Sequence, residues 1–288
     1  MIVTGAGSVV LAPNEPTCDS TPFLKVRKSR KFMGTQDDLA VVACGRALAS
    51  AGLAAPLGER CGLFLAVGYI PFREEDIGPV LAASMTDDGE RFDVRRFGDG
   101  GFQKAHPLLT FRCLPNMPAY HVSVNFDVQG PYCVTYPGPS QLYAALEEAR
   151  AALEDGRIDI ALVGGVAHQS NFLVRHHFSR IEPRVSADKL RDGAAVIVLE
   201  TERHANVRNA TIRARLDELR IAYAPHAVLE EGRASTERVD ERTLDEEIGP
   251  AGLAHAMATA FEAKKNGVFV HSLEGRDGVS ARSTWSLA

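Results

Sequence analysis

The sequence predicts an α/β fold with sheets covered by helices. Three observations carry that reading. Short, nearly unbroken apolar runs at Cys61–Tyr69, Ile158–Val163 and Ala194–Leu199 suit strands buried on both faces. Amphipathic helical stretches alternate with them near 36–53, 140–155 and 252–264. Glycine and proline punctuate the junctions, at Gly52, Pro56 and Gly156. Strands and helices alternating in this way form layered sheets.

The elements follow in order. Ile2–Leu11 is apolar and strand-like, and 12–24 is a proline-rich loop. A basic stretch, Lys25–Lys31, precedes a helix over Gln36–Leu53. Its Asp37 and Asp38 suit the positive end of the helix dipole. Leu39, Val42, Ala43, Ala47 and Leu48 form its packing face. From Pro71 to His106 the pattern predicts loop with one short helix, and 107–131 mixes helical and strand signals. Cys133–Tyr136 reads as a short buried strand. The next helix, Ser140–Asp155, aligns Leu142, Ala145, Leu146, Ala149 and Leu153. Ser140 stands where a helix N-cap belongs. Ile158–Val163 is a strand ending at Gly164-Gly165. Thr211–Tyr223 alternates as a half-buried strand. Residues 227–247 are acidic and polar. A last helix precedes a hairpin of Val268–His271 and Arg282–Leu287 across Gly275–Gly278.

Composition excludes several function classes. A hydrophobic fraction of 45% and a charged fraction of 24% are those of a globular protein. A net charge of −5 leaves no basic footprint for nucleic acid. No apolar run approaches the roughly 20 residues of a membrane span. The N-terminus has neither a basic n-region nor a cleavage site, so no signal peptide is read. Cys18, Cys44, Cys61, Cys113 and Cys133 show no metal-type spacing. A cytoplasmic, reduced protein is expected, with no metal and no cofactor.

The most informative segment is Gly130-Pro-Tyr-Cys-Val-Thr-Tyr-Pro-Gly-Pro-Ser-Gln-Leu142. It reads as strand, sharp turn and helix start. With its surroundings it resembles the β-ketoacyl synthase branch of the thiolase superfamily. Leu114–Ser123 is similar to the family's segment before the nucleophile strand, and Gly130-Pro131 to the turn into it. Leu142–Leu153 and Asp159–Gly165 are similar to the helix and strand that follow. Asp192–Glu200 resembles the strand closing the first half, and Lys25–Leu53 the early basic stretch and helix. The resemblance covers residues 1–200 in order and spacing. It implies a thiolase-like layered fold (α-β-α-β-α), with 1–200 as the N-terminal half. Residues 201–288 form a shortened second half completing the same core. Gly249–Gly252 and Val268–Ser280 are similar to that half's helix entry and final turn.

The resemblance also implies a cysteine nucleophile, and counting from Gly130-Pro131 its position is Pro139. Proline has no nucleophilic atom. One of the family's two histidines maps near Glu246, and the other falls in sequence absent here. No catalytic set is therefore expected. Three residues are the spare candidates. Ser140 half-matches a Gly-x-Ser-x-Gly elbow, with Leu142 at the second glycine. Cys133 lies in an apolar strand, a poor setting for a reactive thiol. His271 lies beside the final turn. His121 reads as a satisfied core or interface histidine. His176 and His177 are adjacent and cannot share a helix face. His226 and His255 match no motif. Gly164, Gly165 and the glycines of 275–278 read as turn or close-packing positions.

A condensation needs an acyl-holding thiolate, oxyanion donors and a proton shuttle. The resemblance includes members without the cysteine, the chain length factors, which pair with an active ketosynthase. The family's dimer joins the strand before the nucleophile turn, here Cys133, Val134, Thr135 and Tyr136. The expectation is a catalytically silent, chain-length-factor-type subunit in polyketide or fatty-acid-like biosynthesis. It would shape its partner's acyl tunnel. Lys25–Lys31 reads first as a solvated face, and alternatively as a surface for an acidic acyl carrier protein. Two alternatives stand beside the subunit role. One is a divergent acyl-thioester enzyme using Ser140, Cys133 or His271. The other is a homodimeric acyl-carrier-binding protein.

Overall fold

A computed structural model describes residues 1–12, 15, 17–181, 185–224 and 247–288. Eight strands form one sheet in the order β3-β2-β4-β5-β1-β6-β8-β7. They are β1 (Ile2–Val10), β2 (Cys61–Val67), β3 (Tyr132–Thr135), β4 (Ile160–Ala167), β5 (Gly193–Glu200), β6 (Ala214–Tyr223), β7 (Gly267–Glu274) and β8 (Val279–Leu287). The main helices are α1 (Thr35–Ala51), α2 (Glu74–Ser84), α3 (Met117–Phe126), α4 (Gln141–Glu154), α5 (Phe172–Arg180), α6 (Glu202–Val207) and α7 (Gly252–Glu262).

The first five strands make a mixed sheet. β3, β2 and β4 run parallel, and β5 is antiparallel to both β4 and β1. β2, β4 and β5 are buried along their whole lengths, as their apolar sequences require. Glu200, which ends β5, is the charged exception and is held by Thr4 and Arg208. Leu39, Val42 and Ala43 of α1 and Val122 of α3 pack on one face, against Leu63, Leu162 and Val196. Leu146 of α4 and Met257 of α7 pack on the other, against Phe64, Val163 and Ile197.

β6 joins β1 only through Ile2↔Arg215 and Val3↔Ala214. It then leaves with β8 and β7. Trp285, Ala281 and Leu273 of this arm pack into the same core as α4 and α7. The described residues thus stack as helix, sheet, helix, sheet. The outer face of the arm carries Arg215, Asp217, Arg220, Ser280, Arg282 and Ser286, all exposed except for their strand backbone. Such polar-out alternation suits a sheet face open to water. No described helix covers it.

Several local expectations shift. The 71–106 stretch holds α2 and short helical turns, and 107–131 is mainly helical, with α3 at its centre. β4 does not end at Gly164-Gly165 but runs through them. A methyl group on Gly165 would lie 1.9 Å from the Pro250 carbonyl oxygen. Glycine is there so that the 249–251 turn can lie flat on the strand. Asp37 and Asp38 do occupy the first turn of α1, but both are buried. Asp37 Oδ2 accepts the Gly34 N–H at 2.6 Å, and Asp38 accepts the Ser20 hydroxyl. The 227–246 stretch, His226 and Glu246 lie outside the described residues.

Candidate functional site

β3 is an edge strand. It pairs with β2 through Leu63↔Tyr132 to Ala66↔Thr135, and no described strand lies on its other side. The sequence suggested a buried strand over Cys133–Tyr136. The strand instead begins at Tyr132, its residues are half-exposed, and Tyr136 lies just past its end. Tyr132 is 71% exposed. Cys133 and Val134 still pack against the core on opposite faces of the sheet, while the backbone edge of the strand is open.

The turn after β3 is closed from within. Thr135 Oγ1 donates to the Gln141 carbonyl at 2.8 Å. Gly138 has φ +99°, a conformation that side-chain-bearing residues avoid, and so lets the chain reverse. Pro139 follows, half-buried, and α4 starts two residues later. The position matched to the nucleophile carries a pyrrolidine ring at the mouth of a helix.

Ser140 is 3% exposed. Its side chain makes no cap hydrogen bond to α4, contrary to the sequence reading. Its hydroxyl donates instead to Asp277 Oδ2 in the β7–β8 turn. Asp277 Oδ1 also accepts the Val279 N–H at 3.2 Å. Ser140 therefore has a carboxylate partner across 137 residues of sequence and no histidine partner. A triad-type nucleophile needs a base that can take and return its proton. A carboxylate bonded directly to serine, without an imidazole between, is not that arrangement.

His271 is brought near this turn, but another residue holds it. Tyr143, one turn further along α4, is 1% exposed. Its hydroxyl contacts His271 Nδ1 at 2.8 Å, the His271 carbonyl at 3.0 Å and Ser283 Oγ at 3.4 Å. This buried cluster fastens α4 to the β7–β8 arm. Cys133 sits on β3 opposite Phe64 and packs against the α4 side of the core. Burial pushes its thiol above the ordinary range, and the Glu148 carboxylate adds to that. It lacks the electropositive setting of a reactive cysteine.

Asp277 and Tyr143 were not singled out from sequence. Asp277 lies in a turn recognised only through its glycines. Tyr143 adjoins the helix stripe whose apolar members alone were read. His121, expected to be a satisfied core histidine, is 3% exposed, but its Nε2 has no hydrogen-bond partner. Asp37 Oδ2 lies 3.9 Å away. His177 is on α5 with its Nε2 3.2 Å from the Tyr69 hydroxyl. Among the described residues no cluster of three or more His, Cys, Asp or Glu could hold a metal. No described helix is long and apolar enough to cross a membrane.

A cleft of about 890 Å³ opens elsewhere. It is lined by Arg30 and Lys31 of the basic stretch, by Arg73 after β2, and by Arg175, Arg191 and Asp192 around β4 and β5. Arg30 is paired with Asp19 and Asp38. Pro139, Ser140, Cys133 and His271 are not part of its lining.

With this geometry in place, comparison with known proteins gives one family. The model of the β-ketoacyl synthase N-terminal domain matches residues 7–205. No curated protein matches the sequence. Similar solved structures share the fold at low identity. One is AntDE:AntF, a type II PKS acyl-carrier protein in complex with its ketosynthase bound to the hexaketide. It has a TM-score of 0.75 and 15% identity, covering 100% of this chain and 99% of that one. The ishigamide ketosynthase/chain length factor has a TM-score of 0.70 and 18% identity, covering 99% of each chain. A β-ketoacyl synthase from Burkholderia phymatum STM815 has a TM-score of 0.66 and 15% identity, covering 100% of this chain and 99% of that one.

Proposed function

The chain belongs to the β-ketoacyl synthase family, and from that premise we propose that it is a catalytically silent subunit of chain-length-factor type. It pairs with an active ketosynthase and completes that partner's acyl tunnel in polyketide or fatty-acid-like biosynthesis. One observation carries the reading. The strand–turn–helix that would present a nucleophile is built, yet it presents Pro139, and the adjacent Ser140 is tied to Asp277. A scaffold kept while its chemistry is absent suits a partner-binding role.

The open edge of β3 is the surface proposed for the partner, through Cys133, Val134, Thr135 and Tyr136. An unpaired strand edge is a template for another chain. Tyr132 and Tyr136 stand beside it, 71% and 39% exposed. Aromatic residues of this kind anchor interfaces. The basic stretch beside the large cleft suits an acidic acyl carrier protein approaching the complex. The names of two similar structures, a ketosynthase with its acyl-carrier protein and a ketosynthase/chain length factor, support the same kinds of partner.

The test is co-purification of the chain with a ketosynthase, alongside intact-mass analysis after incubation with acyl thioesters. The reading expects a complex and no acyl adduct at the β3–α4 turn, on Cys133 or Ser140. Tyr132→Asp should weaken the complex without unfolding the chain. A stable homodimer that ignores the ketosynthase would favour a homodimeric carrier-binding protein. An acyl adduct on Ser140 or Cys133 would mark a divergent acyl-thioester enzyme.

A further inference from the structure

A second cleft, of about 540 Å³, lies along the C-terminal half of β1, between α1 and α7. Its lining includes Ser8 and Val10 of β1, Val42 and Arg46 of α1, and His255 and Ala258 of α7. It does not include Pro139, Ser140 or His271. The Ser8 Oγ and His255 Nδ1 are 2.7 Å apart, across 247 residues of sequence. This brings together a hydroxyl and an imidazole, the pair the β3–α4 turn lacks.

The strand geometry adds donors. Beyond Val3, no described strand pairs with β1 on the β6 side. The Ala6 N–H leaves the ladder for Ser50 Oγ at 3.3 Å. The Ser8 carbonyl, two residues on, points to the same open edge and accepts Arg46 Nη1 at 2.6 Å. In an antiparallel strand a residue's N–H and C=O point the same way. The Ser8 N–H therefore also faces the open edge, beside the Arg46 guanidinium. A backbone N–H at the nucleophile itself, reinforced by a cation, suits a developing oxyanion.

We propose that Ser8 and His255 form an acyl-transfer site that hydrolyses short, uncharged acyl esters. The chemistry balances with what the cleft holds and water. Ser8 Oγ bonds to the ester carbonyl carbon while its proton passes to His255 Nδ1. The oxyanion is met by the Ser8 N–H and Arg46. The bond to the alcohol breaks, and the alcohol leaves with the proton from His255. Water then attacks the acyl-serine by the same proton route, releasing the acid and restoring Ser8. Burial lowers the pKa of His255, which keeps the imidazole in its proton-accepting form near neutral pH. Val10, Val42 and Ala258 give the acyl group an apolar floor. Glu15, Asp19 and Glu262 on the lining disfavour anionic substrates.

The experiment treats the full chain with a fluorophosphonate probe and maps the adduct by mass spectrometry. Hydrolysis of p-nitrophenyl butyrate is followed in parallel, with circular dichroism as the folding control for variants. One adduct per chain, on Ser8, is expected. Ser8→Ala and His255→Gln should each lower ester hydrolysis by on the order of 10²-fold or more. Absence of an adduct, an adduct on another residue, or full activity in either folded variant would overturn the proposal. The Ser8–His255 contact would then be a packing hydrogen bond only. None of these outcomes depends on a ketosynthase partner, so the proposed subunit role stands or falls separately.

Discussion

The Ser140 hydroxyl donates to the Asp277 carboxylate, so the helix after the nucleophile turn is fastened to the turn between the last two strands. The bond joins the turn at Pro139 to the β7–β8 turn across 137 residues of sequence. Ser140→Ala should cost about 1–3 kcal/mol, the worth of a hydrogen bond to a charged group. Asp277→Asn should cost less, because an amide oxygen can still accept. Thermal or urea denaturation of both variants and of the double variant checks this. Additive losses would show that the two residues do not act as a pair.

Pro139→Cys is predicted not to create a condensing enzyme. The new thiol would stand at the start of α4, where the helix dipole favours a thiolate. Slow acylation of the variant is expected. Sustained condensation is not, because His271, the histidine brought near the turn, is held by Tyr143, and neither of the family's two histidines is matched in this sequence. Each missing donor is worth about 10²–10³-fold in rate. A malonyl condensation assay on the variant alone measures this, and steady turnover would show that such groups are supplied after all.

The native thiols should react slowly. Burial raises the Cys18 thiol to about 11 and the Cys61 thiol to about 12. Cys44, Cys113 and Cys133 are also raised, each chiefly by burial. Little thiolate is then present near neutral pH. Iodoacetamide followed by intact-mass analysis should show labelling much slower than that of a free thiol in the unfolded chain. Rapid uptake of one equivalent, especially on Cys133, would contradict this.

His121 should make stability depend on pH. Burial lowers its folded value to about 4, against an ordinary 6.5. Above pH 6.5 both folded and unfolded states are neutral there, and its stabilising share is fully present. As pH falls from 6.5 towards about 4, the unfolded chain takes up a proton that the folded chain refuses. Stability is then lost, by about 3 kcal/mol in total for this group. Asp37 acts in the opposite sense. Burial raises it well above 3.8, so its share is lost as pH rises through the raised value. Urea denaturation across this range should show a flatter pH slope for His121→Gln than for the parent. Equal slopes would remove His121 as the cause.

Much of this fold was legible because its strands are unusually plain. β4 and β5 are apolar throughout, and β7 and β8 bracket a glycine turn, so their places follow from composition alone. Gly165 and the Gly249 turn were each recognisable, but not their contact, since it joins distant segments. β3 misled: an apolar strand at an open edge has the same letters as a buried one. Asp37 and Asp38 were placed correctly in the first turn of α1, but their burial was not legible, because it rests on the Gly34 N–H and the distant Ser20 hydroxyl. At the candidate site, the nucleophile position could be counted from Gly130-Pro131. The partners Asp277 and Tyr143 could not, because hydrogen bonds across more than a hundred residues leave no local pattern.

The subunit role is tested most directly by native mass spectrometry of the chain co-expressed with an active ketosynthase of the same pathway. The account predicts a one-to-one complex, weakened by Tyr132→Asp, in which acyl label is found on the ketosynthase and none on Cys133 or Ser140 of this chain. A chain that stays apart from the ketosynthase, or that carries the acyl label at its own β3–α4 turn, would contradict it.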